Sequence, residues 1–592
     1  MNVPAWLATS LVYGLVLWVL LSGLDDLWLQ LVFGYLRLSR RARVKLPAAS
    51  ELERVRPKRM AIFVPLWHEQ GVIRGMLEHN LAALRYRECD FFTGVYPNDP
   101  ETSAAVAEVA RRFPNVHLAM CPHDGPTSKA DCLNWIYQRM LLWEEEHGER
   151  FEAVVIHDAE DLVHPESLWL INYYLLEHDM VQVPVLPLPT PFREWTHGLY
   201  CDEFAEFQSK DIPVRQFLGG FIASNGVGTG FSREALEALA RQHENCIFEP
   251  SCLTEDYEAG YRVHGMGRPQ VFVPIHHAGG SLAATREYFP RNFRAALKQR
   301  TRWVTGISLQ GWERHGWRVP AGQLYWFWRD RKGLVGNLLG PPLNLLFVGG
   351  VAAWITGAEP AWMAGMREVA GLAPICAFTL AISLLHLAVR AACVRSIYGA
   401  AFAAGVPLRA VFGNVLNCIS TVLALWRYFS AKARGEPLVW HKTDHTYPSR
   451  AGLMPHKRRL GEILTSAGWV SPEDLERALS AREPGERTGE YLVRTGCLSE
   501  QQLYRALSIQ QSLPLGRPVE VVRRATRALP PAVSRKWHVL PFRVLAGKLW
   551  VAGPELPSDE MTDELQRYSR LELRYYLVTP TDFRRLAEEY LR

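Results

Sequence analysis

Charge disappears from the chain in three places. Residues 5–24, 334–358 and 369–389 contain no Asp, Glu, Lys or Arg. Each run is about as long as a bilayer-crossing helix requires, roughly 20 apolar residues. Buried helices of soluble domains seldom stay uncharged that long, so each run predicts a membrane span. Between the first two, short apolar stretches alternate with amphipathic ones from 58 to 315. "RMAIFVPLW" (59–67), "CDFFTGVYP" (89–97) and "EAVVIHD" (152–158) read as buried strands. Strands alternating with helices predict an α/β layer fold. A further apolar segment, 410–426, is shorter, contains Asn414 and Asn417, and is flanked by Arg409 and Arg427. That pattern predicts an interfacial or re-entrant helix rather than a span. From 452 onward the chain is charged and helical. The predicted organisation is an anchor at 1–36, an α/β domain at 58–315, transmembrane and interfacial helices at 324–430, and a soluble domain at 452–592.

Composition adds little beyond sidedness. A length of 592 residues exceeds one ordinary domain. The net charge of +5 predicts no nucleic-acid partner. Basic residues cluster beside the apolar runs, in "RLSRRARVK" (37–45) and "RDRK" (329–332). Lys and Arg concentrate on the cytoplasmic side, which puts residues 37–332 and, with 410–426 lying in the interface, the tail in the cytoplasm. The first run has no Lys or Arg before it and no small-residue cleavage site after it, which predicts a retained anchor. Ten scattered cysteines without a CxxC pair fit a reducing compartment and no zinc site.

The candidate chemistry begins where the strand 153–156 ends, in His157-Asp158-Ala159-Glu160-Asp161. Carboxylates at the C-terminal end of a strand stand where α/β sheets bind ligands. Asp158 and Glu160, two residues apart, can hold one hard divalent cation; acids after a strand more often only cap a helix. Other ambiguous motifs accompany them. Thr254-Glu255-Asp256 opens a helix, where acids also favour the helix dipole. "KQRTRWVTG" (298–306) reads equally as a basic surface helix, and "SNGVGTGFSREAL" (224–236) is a Gly-rich loop entering a helix.

In this order the motifs resemble glycosyltransferase family 2, the GT-A group that includes cellulose and hyaluronan synthases. The resemblance covers about 58–315 and rests on Val64-Pro65-Leu66-Trp67-His68-Glu69, Asp99, Asp158-Ala159-Glu160, Thr254-Glu255-Asp256 and Gln299-Arg300-Thr301-Arg302-Trp303. It implies a GT-A fold and transfer from a nucleotide-diphosphate sugar to a saccharide or polysaccharide acceptor. Pro65, Glu69, Asp99 and Lys129 would contact the nucleotide; Asp158 and Glu160 would hold Mg2+ or Mn2+. Asp256, beside Glu255, would be the general base, and attack opposite the leaving group would invert the anomeric centre. Gln299, Arg300 and Arg302 would meet the donor, the two arginines clamping its diphosphate, and Trp303 would stack on the acceptor sugar. His68 departs from the usual Asn and Glu160 from the usual Asp, with Asp161 a substitute ligand. "PLVWHKTDHTYP" (437–448) reads as an interfacial segment anchored by Trp440 and Lys442 rather than a His441/His445 metal pair.

The tail repeats itself. "RLGEILTSAGWVSPEDLERALSAR" (459–482) aligns with "RTGEYLVRTGCLSEQQLYRALSIQ" (487–510), each a helix, a turn ending in glycine and a second helix. The repeat resembles the MshEN domain, which implies cyclic di-GMP bound across both copies. Arg459 and Arg487 would meet the guanines, Gly461 and Gly489 the phosphates. Leu460, Leu464, Gly468, Leu475, Leu479 and Arg482 would complete the first half-site. Thr488, Leu492, Gly496, Leu503, Leu507 and Gln510 would complete the second; Thr488 and Arg482 depart from the expected Leu and Gln.

The sum is an inner-membrane, multi-pass polysaccharide synthase of a bacterium, controlled by cyclic di-GMP and served by an outer-membrane export partner. A secretion component lacks support because no GxxxxGK[ST] phosphate loop occurs. A catalytically inactive cyclic di-GMP-sensing scaffold is the other reading, opposed by the intact Asp158, Asp256 and Gln299–Trp303 set.

Overall fold

The computed structural model describes residues 5–39, 44–242, 245–278, 281–317, 319–357, 371–436, 438, 459–466, 469–482, 486–511, 513, 515–516, 521–545 and 548–591. The 437–448 segment, apart from Leu438, and Gly468 lie outside them. The chain forms two compact units, Met1–Met76 with Tyr86–Pro448, and Ser449–Arg592 with Leu77–Arg85.

In the first unit, helix α1 (Ala5–Leu38) precedes a mixed α/β sheet. Its strands are β1 (Met60–Pro65), β2 (Cys89–Val95), β3 (Val116–Met120), β4 (Ala153–Ile156), β5 (Met180–Gln182), β7 (Thr229–Ser232) and β8 (Gln270–Phe272), in the order β3-β2-β1-β4-β7-β5-β8. Only β7 runs against its neighbours. This is the GT-A arrangement. Every residue of β2 is buried, as is every residue of β1 but the last, because both faces of a parallel sheet are covered. Helix α2 (Lys129–His147) packs Leu133, Ile136, Met140 and Trp143 against Phe63, Phe92 and Phe151. Each such side chain contributes about 1.5–3 kcal/mol by leaving water. Because β1, β2 and β4 are parallel, their C-terminal ends open at one edge. Outside the sheet, β6 (Val185–Pro187) pairs with β11 (Thr285–Glu287) beyond the short hairpin β9 (His277–Ala278) and β10 (Ser281–Leu282).

Three further helices of this unit bear on the site: α3 (Trp195–Glu206), α4 (Glu255–Gly265) and α5 (Phe293–Trp303). They are followed by α6 (Gly333–Thr356), α7 (Leu372–Tyr398) and α8 (Val406–Arg434). Among the described residues four helical stretches are long and apolar enough to cross a membrane: Tyr13–Leu38, Ala321–Thr356, Leu372–Tyr398 and Val406–Arg434. The last corrects the expected short segment, for α8 runs to 29 residues. Helix formation continued through the polar flanks because they have partners. Arg409 pairs with Asp202 of α3 at 2.7 Å, Asn417 accepts from Arg300 of α5 at 2.7 Å, and Lys432 pairs with Glu313. On the other face Val415, Ile419, Val422, Trp426 and Phe429 are exposed at helical spacing.

The second unit contains α9 (Leu460–Ser466), α10 (Pro472–Ala481), α11 (Thr488–Arg494) and α12 (Glu500–Gln511). They are followed by a three-stranded sheet of β12 (Leu540–Leu545), β13 (Lys548–Gly553) and β14 (Glu572–Leu577). Leu464, Leu492 and Leu503 are buried in the core of the helical repeat, with Leu460, Leu475 and Leu507 packed on it.

Candidate active site

One pocket opens at the C-terminal edge of the sheet. Asp158, Ala159 and Glu160 enter it from the end of β4, and Pro65 and Glu69 from the end of β1. Lys129, first residue of α2, reaches it from a start capped by Ser128, whose hydroxyl accepts from the Asp131 N–H. Glu255 and Asp256 come from the first turn of α4, and Gln299, Arg302 and Trp303 from the end of α5. Asp158 and Asp256 therefore face a single cavity.

Lys129 is central. Its Nζ lies 2.5 Å from Asp158 Oδ1 and donates to the Gly226 carbonyl at 3.1 Å. Gly226, at φ +77°, permits this approach; a Cβ there would fall 2.8 Å from Asp256 Oδ2. Burial opposes the Lys129 charge, yet Asp158 and Glu255 hold its pKa above the ordinary value. Burial pushes the Glu255 carboxyl up to about 7, with the adjacent Asp256 charge adding to the shift. Burial also raises Asp256, against the pull of Lys129.

The Thr254-Glu255-Asp256 and Gln299–Trp303 motifs meet through the π-helical turn Val304–Gln310 that continues α5. A Cβ on Gly306 would fall 2.5 Å from Thr254 Oγ1, so only glycine lets the turn lie so close. Gln310 ties the approach loop, accepting from the Leu253 N–H at 3.0 Å and donating to the Ser251 carbonyl at 3.2 Å.

Two expected donor contacts are not brought to the pocket. Asp99 is only 2% exposed and caps the helix Pro100–Ala110. Its carboxylate accepts from the His68 N–H at 2.6 Å and the Thr102 N–H at 3.4 Å. Arg300 turns away from the pocket. Its guanidinium bonds Glu203 at 2.6 Å and Asn417 at 2.7 Å and lies 4.5 Å over the Tyr200 ring. Asp161 is not a substitute ligand either. Fully buried, it lies 2.7 Å from His157 Nδ1 and accepts from the Asp158 N–H at 3.0 Å, holding the turn that presents Asp158. Conversely, Trp67, Tyr96, Asn225 and Glu287 line the pocket although no motif marked their roles. Trp67 and Tyr96 meet edge to face at 5.3 Å and form an aromatic wall.

The donor set suits a hard cation in part. Asp158 and Glu160 offer carboxylate oxygens, and no group of three or more His, Cys, Asp or Glu able to hold a metal occurs among the described residues. The remaining ligands would be diphosphate oxygens and water, as is usual for Mg2+.

In the helical repeat the glycines serve packing. A Cβ on Gly461 would fall 2.8 Å from Leu475 Cδ2, and one on Gly489 2.5 Å from Leu503 Cδ1. On its Cβ side each glycine lets two helices touch. The expected apolar lining is likewise mostly core, with Leu479 exposed instead. Arg487 caps α11 and leaves its side chain 79% exposed, and Arg459 is also exposed. Arg482 donates to the Glu486 carbonyl at 3.2 Å, Thr488 opens α11, Gly496 turns the chain at φ +75°, and Gln510 is half-buried on α12.

Comparison with known proteins accords with this arrangement. The family model described as glycosyltransferase like family 2 matches residues 57–306, and the MshEN domain model matches 513–592. The second match takes in the three-stranded sheet and begins after the repeated helices. Bacteriophage adsorption protein B of Escherichia coli (strain K12) is 35% identical over 516 residues, covering 81% of this chain and 68% of that protein. The chain belongs to the bacteriophage adsorption protein B family. Bacteriophage N4 adsorption protein B of Escherichia coli O157:H7 matches with the same 35% identity and the same coverage. Among solved structures, MshE with cdg is 27% identical, with 23% of this chain and 99% of that one covered and a TM-score of 0.22. Mannosyltransferase PcManGT from Pyrobaculum calidifontis, in complex with GDP-Man and Mn2+, is 17% identical, with 64% and 97% covered and a TM-score of 0.39. This member of the adsorption protein B family thus joins a family 2 glycosyltransferase-like domain, membrane-type helices and an MshEN domain.

Proposed function

We propose that the chain is an inverting glycosyltransferase of the bacterial inner membrane. It moves sugar from a nucleotide-diphosphate donor to a growing polysaccharide under control of cyclic di-GMP bound by the C-terminal domain. The carrying observation is that Asp158, Glu160, Glu255, Asp256, Lys129 and Arg302 share one pocket. Asp256 removes the proton of the acceptor hydroxyl as that oxygen attacks the anomeric carbon. Burial raises its pKa, which suits a base better than an ordinary carboxylate. Arg302, a half-buried guanidinium with no ion pair among the described residues, meets the diphosphate in place of the pair of arginines first expected. Lys129 leaves Asp158 and follows the departing phosphate charge. A divalent cation held by Asp158 and Glu160 would neutralise the leaving diphosphate as a Lewis acid. Trp303, half-buried at the pocket and 6.0 Å from Tyr200, offers its face to the acceptor sugar.

The catalytic unit and the tail lie in the cytoplasm, as the basic flanks indicate, and export calls for an outer-membrane partner. The relatives' role in phage adsorption fits a surface polysaccharide made with their help. The test is turnover of nucleotide-diphosphate sugars by membranes with Mg2+, with and without cyclic di-GMP. Asp256→Asn lowers turnover by about 10²–10⁴, the usual contribution of a positioned base, and leaves cyclic di-GMP binding intact. Unchanged turnover removes Asp256 as the base.

A further inference from the structure

Beside the catalytic pocket lies a second cavity, of about 250 Å3, between α5 and the C-terminal half of α8. The two share Leu253 and Arg302. Four cationic side chains line the second cavity, Lys298 and Arg302 from α5 and Arg427 and Arg434 from α8, against one carboxylate, Glu436. Glu436 is already paired with Arg434 at 3.0 Å. Among the described residues Arg427 makes no ion pair, and Arg302 has a buried Nε without a hydrogen-bond partner. An excess of guanidinium groups in a concavity calls for a multivalent anion, and phosphate matches their fork geometry.

The approach to this cavity is apolar. Trp426 lines it and also stands, 64% exposed, in the outward stripe of α8 with Val415, Ile419, Val422 and Phe429. A ligand entering along that stripe presents hydrocarbon to α8 and a phosphate to the arginines. That combination describes a lipid. We propose that this cavity binds the phosphate headgroup of an anionic membrane lipid, whose acyl chains lie on the stripe of α8. Bound there, the phosphate neutralises Arg427 and places an anion beside Arg302, where the two cavities meet. The inference rests on the membrane placement proposed above, not on transfer itself, and lipid retention is measured separately from turnover.

The experiment uses the full chain in nanodiscs of phosphatidylcholine containing phosphatidylglycerol, released into native mass spectrometry. The wild type retains one phosphatidylglycerol in preference to phosphatidylcholine. Each arginine near a bilayer surface favours anionic lipid about fivefold, so Arg427→Gln with Arg434→Gln weakens retention by about 25-fold. Retention of phosphatidylcholine stays unchanged, and binding of the donor nucleotide by the same variant shows that it is folded. Arg427→Lys keeps most of the preference, because the charge remains. Equal phosphatidylglycerol retention by wild type and double variant overturns the proposal. So does displacement of the lipid by millimolar inorganic phosphate, which would make the cavity a site for a free anion.

Discussion

Asp99 separates two roles that a motif cannot distinguish. As a nucleotide ligand it would need its charge; as the cap of Pro100–Ala110 it needs only an acceptor oxygen. Asn caps helices about as well as Asp, whereas Ala costs about 0.5–2 kcal/mol. Asp99→Asn is therefore expected to keep the donor KM within about twofold, while Asp99→Ala lowers stability by about 1 kcal/mol in denaturant titration. A large KM increase in Asp99→Asn with unchanged stability would return the residue to the nucleotide. Glu255 carries a pH consequence. Its pKa rises on folding from 4.5 to about 7, so the folded pocket prefers the neutral acid. That preference stabilises the fold fully below about pH 4.5 and is lost as pH rises through about 7. Without added cation, the thermal midpoint of the first unit is expected to fall over that window, and Glu255→Gln to flatten the decline. A midpoint that rises from pH 5 to 7 in both proteins contradicts the assignment.

At the scale of elements, much of the glycosyltransferase-like domain was legible. Buried β1, β2 and β4 read as continuous apolar runs, and the acids after β4 stood where the sheet opens. What stayed hidden was which side chains had local partners. Arg300 and Arg302 are two residues apart, but Glu203 and Asn417, about a hundred positions away on either side, claim only the first. Glu287 reached the pocket on β11, whose pairing with β6 no local pattern announced. The close helix packing at Gly461 and Gly489 also stayed hidden, because a packing glycine and a phosphate-contacting one leave the same trace in a sequence. Gly306 makes a testable case of such a contact. Gly306→Ala puts a Cβ 2.5 Å from Thr254 Oγ1 and 2.6 Å from its Cγ2. Overpacking of this kind costs about 1–3 kcal/mol, and here it would displace the loop carrying Glu255 and Asp256. Turnover is expected to drop about tenfold or more. Thr254→Ala in the same chain, which removes both crowded atoms, should recover part of it. Absence of any loss would mean that the turn does not set the position of the carboxylates.

For the whole molecule the decisive element is α8, because its path sets the side on which the tail emerges. Its 29 residues and apolarity would allow a crossing. Its polar contacts argue otherwise. Arg409 near the start, Asn417 in the middle and Lys432 near the end each meet a residue of the sheet-bearing unit: Asp202, Arg300 and Glu313. A helix crossing roughly 30 Å of hydrocarbon could not keep both ends on elements confined to one side. The exposed apolar stripe and the opposite polar face fit the interfacial placement expected of this segment. On the placement proposed above, with α1, α6 and α7 as the spans, the tail would return to the cytoplasm. The native cysteines report on this directly, since Cys497 in the tail is exposed and every other cysteine is buried or half-buried. A membrane-impermeant maleimide is expected to label Cys497 in inverted inner-membrane vesicles and to spare it in intact spheroplasts. Cys497→Ser should remove the signal. Labelling in spheroplasts instead would mean that α8 crosses the membrane, and the cyclic di-GMP control proposed for the tail would lose access to a cytoplasmic messenger.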